Sequence, residues 1–258
     1  MAHDTHGYSA QEWAVRCELA ALYRLVAHFR MTDMIDTHIT VRVPGPEHHF
    51  LINRYGVLFH EMCASDLVKI DSAGRVVEAD ADAHPERYRV NAAGFTIHSA
   101  VHMARPDLAC VIHTHTSAGS AVSAQRQGLL PISQHALKFY EHLAYHDYEG
   151  IALRDEEKPR LVADLGTNVH LILKNHGLLT VGATVAEAFT RMYYLEASCA
   201  IQVRAQAGGG ELTHVSKEVL DASYATMQGG GAPRRSAAAL VWPGLLRRLD
   251  RTDPSYRS

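Results

Sequence analysis

Two short apolar runs in this chain each lead into histidine, and together they require a buried sheet with a polar edge. Leu108 to Ile112 is apolar and partly β-branched, the composition of a buried strand. It runs straight into His113-Thr114-His115. Side chains alternate faces along a strand, so His113 and His115 point the same way. Val169-His170-Leu171-Ile172-Leu173 is a second run of the same kind, and it delivers His176 just ahead of Gly177.

Around these runs the pattern alternates between helix and strand. Val15, Leu19, Leu22, Val26 and Phe29 recur at three to four residues and predict a helix over Ala10 to Arg30. Strands follow at Asp36 to Val43, Phe50 to Asn53 and Leu67 to Asp71. Asn91 to Ala104 reads as a helix closed by Arg105-Pro106-Asp107, and Ser117 to Gln127 as a helix rich in small residues. Those small residues let it pack close to the sheet. Leu129 to Ser133 and Leu143 to Tyr148 are strand candidates, and Asp155 to Lys158 is a solvated charge run. A long helix spans Thr184 to Ala207, with Thr184 as N-cap, Glu187 completing a capping box, and Gly208-Gly209-Gly210 at its end. Strands in the middle with helices on either side favour one α/β sandwich domain, residues 1–228. Residues 229–258 read as a glycine-rich linker and a short C-terminal helix or tail carrying Trp242.

Three neutral imidazoles that meet make a metal site with positions open for water or substrate, so the first functional question is whether His113, His115 and His176 meet. The chain has 18 histidines in 258 residues, which raises the prior for metal and for accidental pairs alike. Its formal charge of −3 and its lack of a Lys/Arg stripe speak against nucleic acid or an acidic membrane as partner. No window approaches a transmembrane span, and the polar N-terminus holds no signal core. The four cysteines form no CxxC pair and read as reduced thiols of a cytoplasmic protein.

The motifs together resemble the class II aldolase/adducin family, over about Trp13 to Gly210. They are His113-Thr114-His115, Asn175-His176-Gly177, His38-Ile39-Thr40 before Arg42-Val43, Ala104-Arg105-Pro106-Asp107, Gly128-Leu129-Leu130-Pro131 and Tyr145-His146-Asp147-Tyr148. The resemblance implies a three-layer α/β/α sandwich around a mixed or antiparallel central sheet. It implies a divalent metal on His113, His115 and His176, zinc first, with iron, manganese or cobalt as alternatives. It also implies a homo-oligomer, a tetramer for preference, with the Gly128 to Gly150 segment near a neighbour's metal.

The departures matter equally. Sugar-phosphate aldolases of the family carry Gly-Asn where this chain has Thr37-His38. They carry Ser-Ser-Glu, ending in the acid/base, where it has Ala92-Ala93-Gly94. Local text is closer to the adducin-head branch and its bacterial relatives. The expected function is therefore a metal-dependent lyase acting on a non-phosphorylated carbonyl or carboxylate small molecule. It would work by decarboxylation or retro-aldol cleavage through a metal-stabilised enolate. The alternatives are an Fe(II) oxygenase at the same site and a non-catalytic, adducin-like metal-binding scaffold. His135 is the expected replacement proton donor. His38, Gly94, Tyr145 and Tyr148 are expected to contact substrate, and His98 is expected to be buried or capping.

Overall fold

In the computed structural model the chain is described over residues 5–151, 155–229 and 237–258. Seven strands form one sheet: β1 (His38–Arg42), β2 (Phe50–Asn53), β3 (Leu67–Ile70), β4 (Cys110–Thr114), β5 (Ala144–His146), β6 (His170–Leu173) and β7 (Gly177–Gly182). Their spatial order is β3-β2-β1-β4-β7-β6-β5. Every neighbouring pair is antiparallel except β5 with β6, so the sheet is mixed. β4, which carries His113, and β7, which begins just after His176, lie side by side at its centre, with His113 opposite Leu179.

Helices cover both faces, giving the expected α/β/α sandwich. On one face lie α1 (Ala10–His28), α3 (Ser117–Ser123) and α5 (Val185–Ala207). On the other lie α2 (Ala92–Ala104) and α4 (Lys158–Leu165). The cores divide accordingly. Leu22, Ile39, Ile112, Leu178 and Met192 belong to the first layer, and Val101, Val111, Leu161 and Leu179 to the second. Alternation along β4 and β7 sends neighbouring residues to opposite cores, and this is why both strands are buried throughout.

Local chemistry sets the helix ends. The Ser9 side chain caps α1 by accepting from the Glu12 N–H at 3.1 Å. Thr184 caps α5 by accepting from the Glu187 N–H at 3.2 Å. The Glu187 carboxylate reaches back to the Ala183 N–H, one residue before the position a standard capping box predicts.

Several elements differ from expectation. Leu129 to Ser133 is not a strand. Gly128 takes a left-handed φ of 64°, and the following N–H groups are taken by side chains, Leu129 by the Tyr145 hydroxyl and Leu130 by Gln202. The small-residue helix stops at Ser123. β7, α4 and α6 (Lys217–Gly229) were not foreseen. The C-terminal segment carries α7 (Ala237–Thr252), which packs on α1 and α5. Trp242 and, in the turn beyond it, Tyr256 are buried in the main core, each worth about 3 kcal/mol of apolar burial. Of the glycine linker, residues from 230 on lie outside those described. No helix among the described residues is long and apolar enough to cross a membrane.

Candidate metal centre

β4 carries His113, and His115 follows just past its end. Between β6 and β7 the chain turns within Lys174-Asn175-His176. Asn175 supplies the left-handed residue at φ 57°, a conformation asparagine tolerates better than most residues. The turn is held from below by α3: the Asn175 N–H donates to the Ser123 carbonyl at 3.0 Å, and the Ser120 hydroxyl donates to the His176 carbonyl at 3.1 Å. Gly177 permits the closeness of the two strands, since a Cβ there would lie 2.3 Å from the Thr114 carbonyl oxygen.

The three imidazoles meet. His113 and His115 Nε2 are 2.8 Å apart, His113 and His176 Nε2 3.2 Å, and His115 and His176 Nε2 2.9 Å. What lies between them follows from the other ring nitrogens. His113 Nδ1 donates to the Leu178 carbonyl at 2.9 Å, and His115 Nδ1 donates to the Asp33 carboxylate at 3.1 Å. In the neutral rings both Nε2 atoms are then lone pairs, with no hydrogen to bridge them. Lone pairs at this separation repel unless a cation sits among them. Tetrahedral bonds of 2.0–2.1 Å would put the nitrogens about 3.4 Å apart, a few tenths of an ångström wider than found. The donor set and its anchored outer nitrogens fit a divalent metal.

The electrostatics favour ligation as well. Burial, with the neighbouring His176, His115 and His38 adding to it, holds His113 well below the usual imidazole range. Burial, reinforced by His115, brings His176 down to about 4. Rings kept neutral offer their lone pairs at physiological pH.

Beside the cluster opens a cavity of about 550 Å³, a size suited to a small organic ligand. His38 and Gly94 line it with the three histidines, and Tyr148 stands at its rim, half exposed, its ring 6.3 Å from His176. Tyr145 is placed elsewhere, its hydroxyl spent on the Leu129 N–H. His135 is exposed, 5.8 Å from the Tyr194 ring, and does not line this cavity. His98 is fully buried, as expected. Sequence reading missed Asp33, Asp36, Asn91, Ile97, Ser120 and Asn175, all lining residues. Asp33 had one available signal, an acidic residue in the loop feeding the strand that pairs with β4.

A sandwich of this topology with three histidines meeting beside its central strands defines a class of domain with a candidate metal centre. Comparison with known proteins gives the family: the chain belongs to the class II aldolase and adducin N-terminal domain family, whose model matches residues 17–203. An aldolase II superfamily protein from Pseudomonas syringae superposes with a TM-score of 0.88 at 50% identity, over 97% of this chain and 98% of that one. The L-fuculose 1-phosphate aldolase of Glaciozyma antarctica superposes with a TM-score of 0.81 at 28% identity, over 96% and 94%. Rat alpha-adducin is 47% identical over 80% of this chain, which spans 28% of the adducin's length.

Proposed function

We propose that this protein is a divalent-metal-dependent lyase that breaks a carbon–carbon bond next to a carbonyl in a small, non-phosphorylated oxyacid or keto compound. The observation that carries the reading is the convergence of three imidazole Nε2 atoms at the wall of an open cavity. His113, His115 and His176 would hold the ion, zinc for preference, with the Leu178 carbonyl and Asp33 fixing two of the rings. When bound, the ion would act as a Lewis acid that draws negative charge onto a substrate oxygen. The chain's own residues do the rest. The walls orient the substrate, and Ile97 and Ile151 give the cavity an apolar side.

The composition of the wall favours a substrate without phosphate. Asp33 and Asp36 are acidic, and no Lys or Arg stands among the described lining residues, so a phosphate dianion would be poorly compensated. The likeness to an L-fuculose 1-phosphate aldolase keeps sugar phosphates within the family's range, so they belong in the test. Gly94 brings no carboxylate, and decarboxylation needs no base to begin. A proton donor is needed only to finish, and His135 would serve from a neighbouring subunit. Buried free thiols at Cys17, Cys110 and Cys199 favour the cytoplasm.

The test is turnover by the zinc-, manganese-, cobalt- and iron-loaded protein. The panel holds 2-oxo acids, 2-hydroxy-3-oxo acids and fuculose, rhamnulose and ribulose phosphates. Metal-dependent carbon–carbon cleavage confined to the first two groups is expected. Efficient cleavage of a sugar phosphate would refute the substrate class, and stoichiometric metal with no turnover anywhere would favour the scaffold reading.

The His135 assignment requires an assembly. Light scattering at micromolar concentration is expected to give four times the mass of one chain, closed symmetry being the usual solution for identical subunits. A monomer would remove His135 from the reaction.

A further inference from the structure

On β1 the side chains of His38, Thr40 and Arg42 share one face. α2 lays Gly94, His98 and His102 against that face at four-residue spacing. Away from the cavity the seam is tied together. Thr40 Oγ1 lies 2.7 Å from His98 Nδ1 and 2.8 Å from His102 Nε2, and Arg42 donates to the His102 carbonyl at 2.6 Å. At the cavity end the pattern changes. His38 is 4% exposed, yet neither of its ring nitrogens has a hydrogen-bonding partner among the described residues. Its ring lies 4.5 Å from that of His98 and 5.5 Å from that of His113, and it forms part of the cavity wall. Buried polar groups are rarely left unpaired, and each exception asks for an explanation.

Gly94 supplies half of it. A Cβ on residue 94 would lie 2.3 Å from His38 Cε1, 2.4 Å from Nδ1 and 2.6 Å from Nε2. The imidazole therefore fills the volume that any side chain at 94 would need. A ring this enclosed has little room to swing aside. The two departures from the sugar-phosphate pattern, His38 and Gly94, form one structural unit in which a ring from β1 takes the space beside α2. The Gly94 backbone is near enough to influence the ring but not in hydrogen-bonding geometry. A partner for His38 is then to be found in whatever occupies the cavity.

We propose that His38 is the substrate-contacting residue of this cavity, its imidazole sharing one hydrogen bond with an oxygen of a small 2-oxo or 2-hydroxy acid, and that Gly94 is the residue that makes room for it. This rests on the metal-centre reading above. The ligand class follows from the chemistry of the wall. An imidazole can donate to a carbonyl or carboxylate oxygen, or accept from a hydroxyl, while Asp33 and Asp36 line the wall and no Lys or Arg stands among the described lining residues to offset a phosphate.

The test uses the zinc-loaded full-length protein with oxalate as probe, followed by titration calorimetry, with zinc content and melting temperature measured alongside. Oxalate is expected to bind the unsubstituted protein. His38→Ala should weaken it about tenfold, as loss of one hydrogen bond predicts, and His38→Asn by less. Gly94→Ala should weaken it by a similar factor, because the new methyl displaces the ring. The double variant should be no worse than His38→Ala, since the clash vanishes with the ring. Gly94→Ala should lower the melting temperature only when His38 is present. Unchanged oxalate affinity in His38→Ala, or additive losses in the double variant, would overturn the proposal and leave the metal reading intact. Loss of zinc from the His38 variants would make the residue structural and also overturn it. A zinc-loaded parent protein that ignores oxalate would count against the metal-chelating reading itself.

Discussion

The variant His113→Ala/His115→Ala is expected to lose stoichiometric metal binding at zinc concentrations that saturate the parent protein. The reason lies in the outer ring nitrogens. His113 Nδ1 is committed to the Leu178 carbonyl and His115 Nδ1 to Asp33, so each ring presents a lone pair inward in its neutral form. Removing two rings leaves one imidazole on a turn, which cannot hold a divalent ion against water. Asp33→Ala should be milder, costing about 10–100-fold in affinity, the usual effect of losing a carboxylate that orients a metal-bound histidine. The ordering double variant, then Asp33 variant, then parent is what calorimetry with zinc should return. Circular dichroism should confirm that the double variant is folded, because His113 is buried and truncation leaves a small void. One equivalent bound with unchanged affinity in the double variant would end the three-histidine assignment.

Much of this site was legible before the structure because its signals are local. Two histidines at i and i+2 on a strand share a face whatever surrounds them, and the apolar runs before His113 and His176 mark buried strands. The sandwich was legible too, since α1 and α5 announce themselves by periodicity. β7 was missed because Gly177-Leu178-Leu179-Thr180-Val181-Gly182 follows β6 after only three residues, and a short apolar run bounded by glycines has no period of its own. α4 was missed because its charged start, Asp155 to Lys158, reads as a solvated run, while the residues that fix it, Leu161 and Leu165, are buried against α2. Leu129 to Ser133 was overpredicted because propensity cannot see that Tyr145 and Gln202 would take its N–H groups. Asp33 could not be assigned to His115, 82 residues away, without the sheet order. The His38–Gly94 interlock was invisible for the same reason. A missing side chain on a helix and an added ring on a strand look like two independent losses until β1 and α2 are placed face to face.

The metal-free protein is expected to lose stability steeply as pH falls below about 6.5, well before its carboxylates titrate. Folding keeps six imidazoles neutral, those of His38, His98, His102, His113, His170 and His176, each pushed down chiefly by burial. The sign follows from which state binds protons. Above the unfolded value near 6.5, neither state is protonated at these positions and pH has no effect through them. Below it the unfolded chain takes up protons that the folded chain refuses, so acid favours unfolding. The loss continues until the folded values are reached, about 4 for His170 and His176 and about 3 for His102. Each group weakens the fold by up to about 1.4 kcal/mol per pH unit. Six acting together could remove at most roughly 8 kcal/mol per unit, against the 5–15 kcal/mol of total stability typical of a domain. Urea unfolding of the metal-free protein between pH 8 and pH 4.5 should therefore show a plateau above neutrality and a slope approaching six protons taken up per molecule near pH 5. Zinc should raise the plateau without flattening that slope, because a metal-bound imidazole refuses protons in the folded state just as a buried neutral one does. A stability profile flat from pH 6.5 to pH 5 would mean that these rings reach water or a proton partner in the folded state.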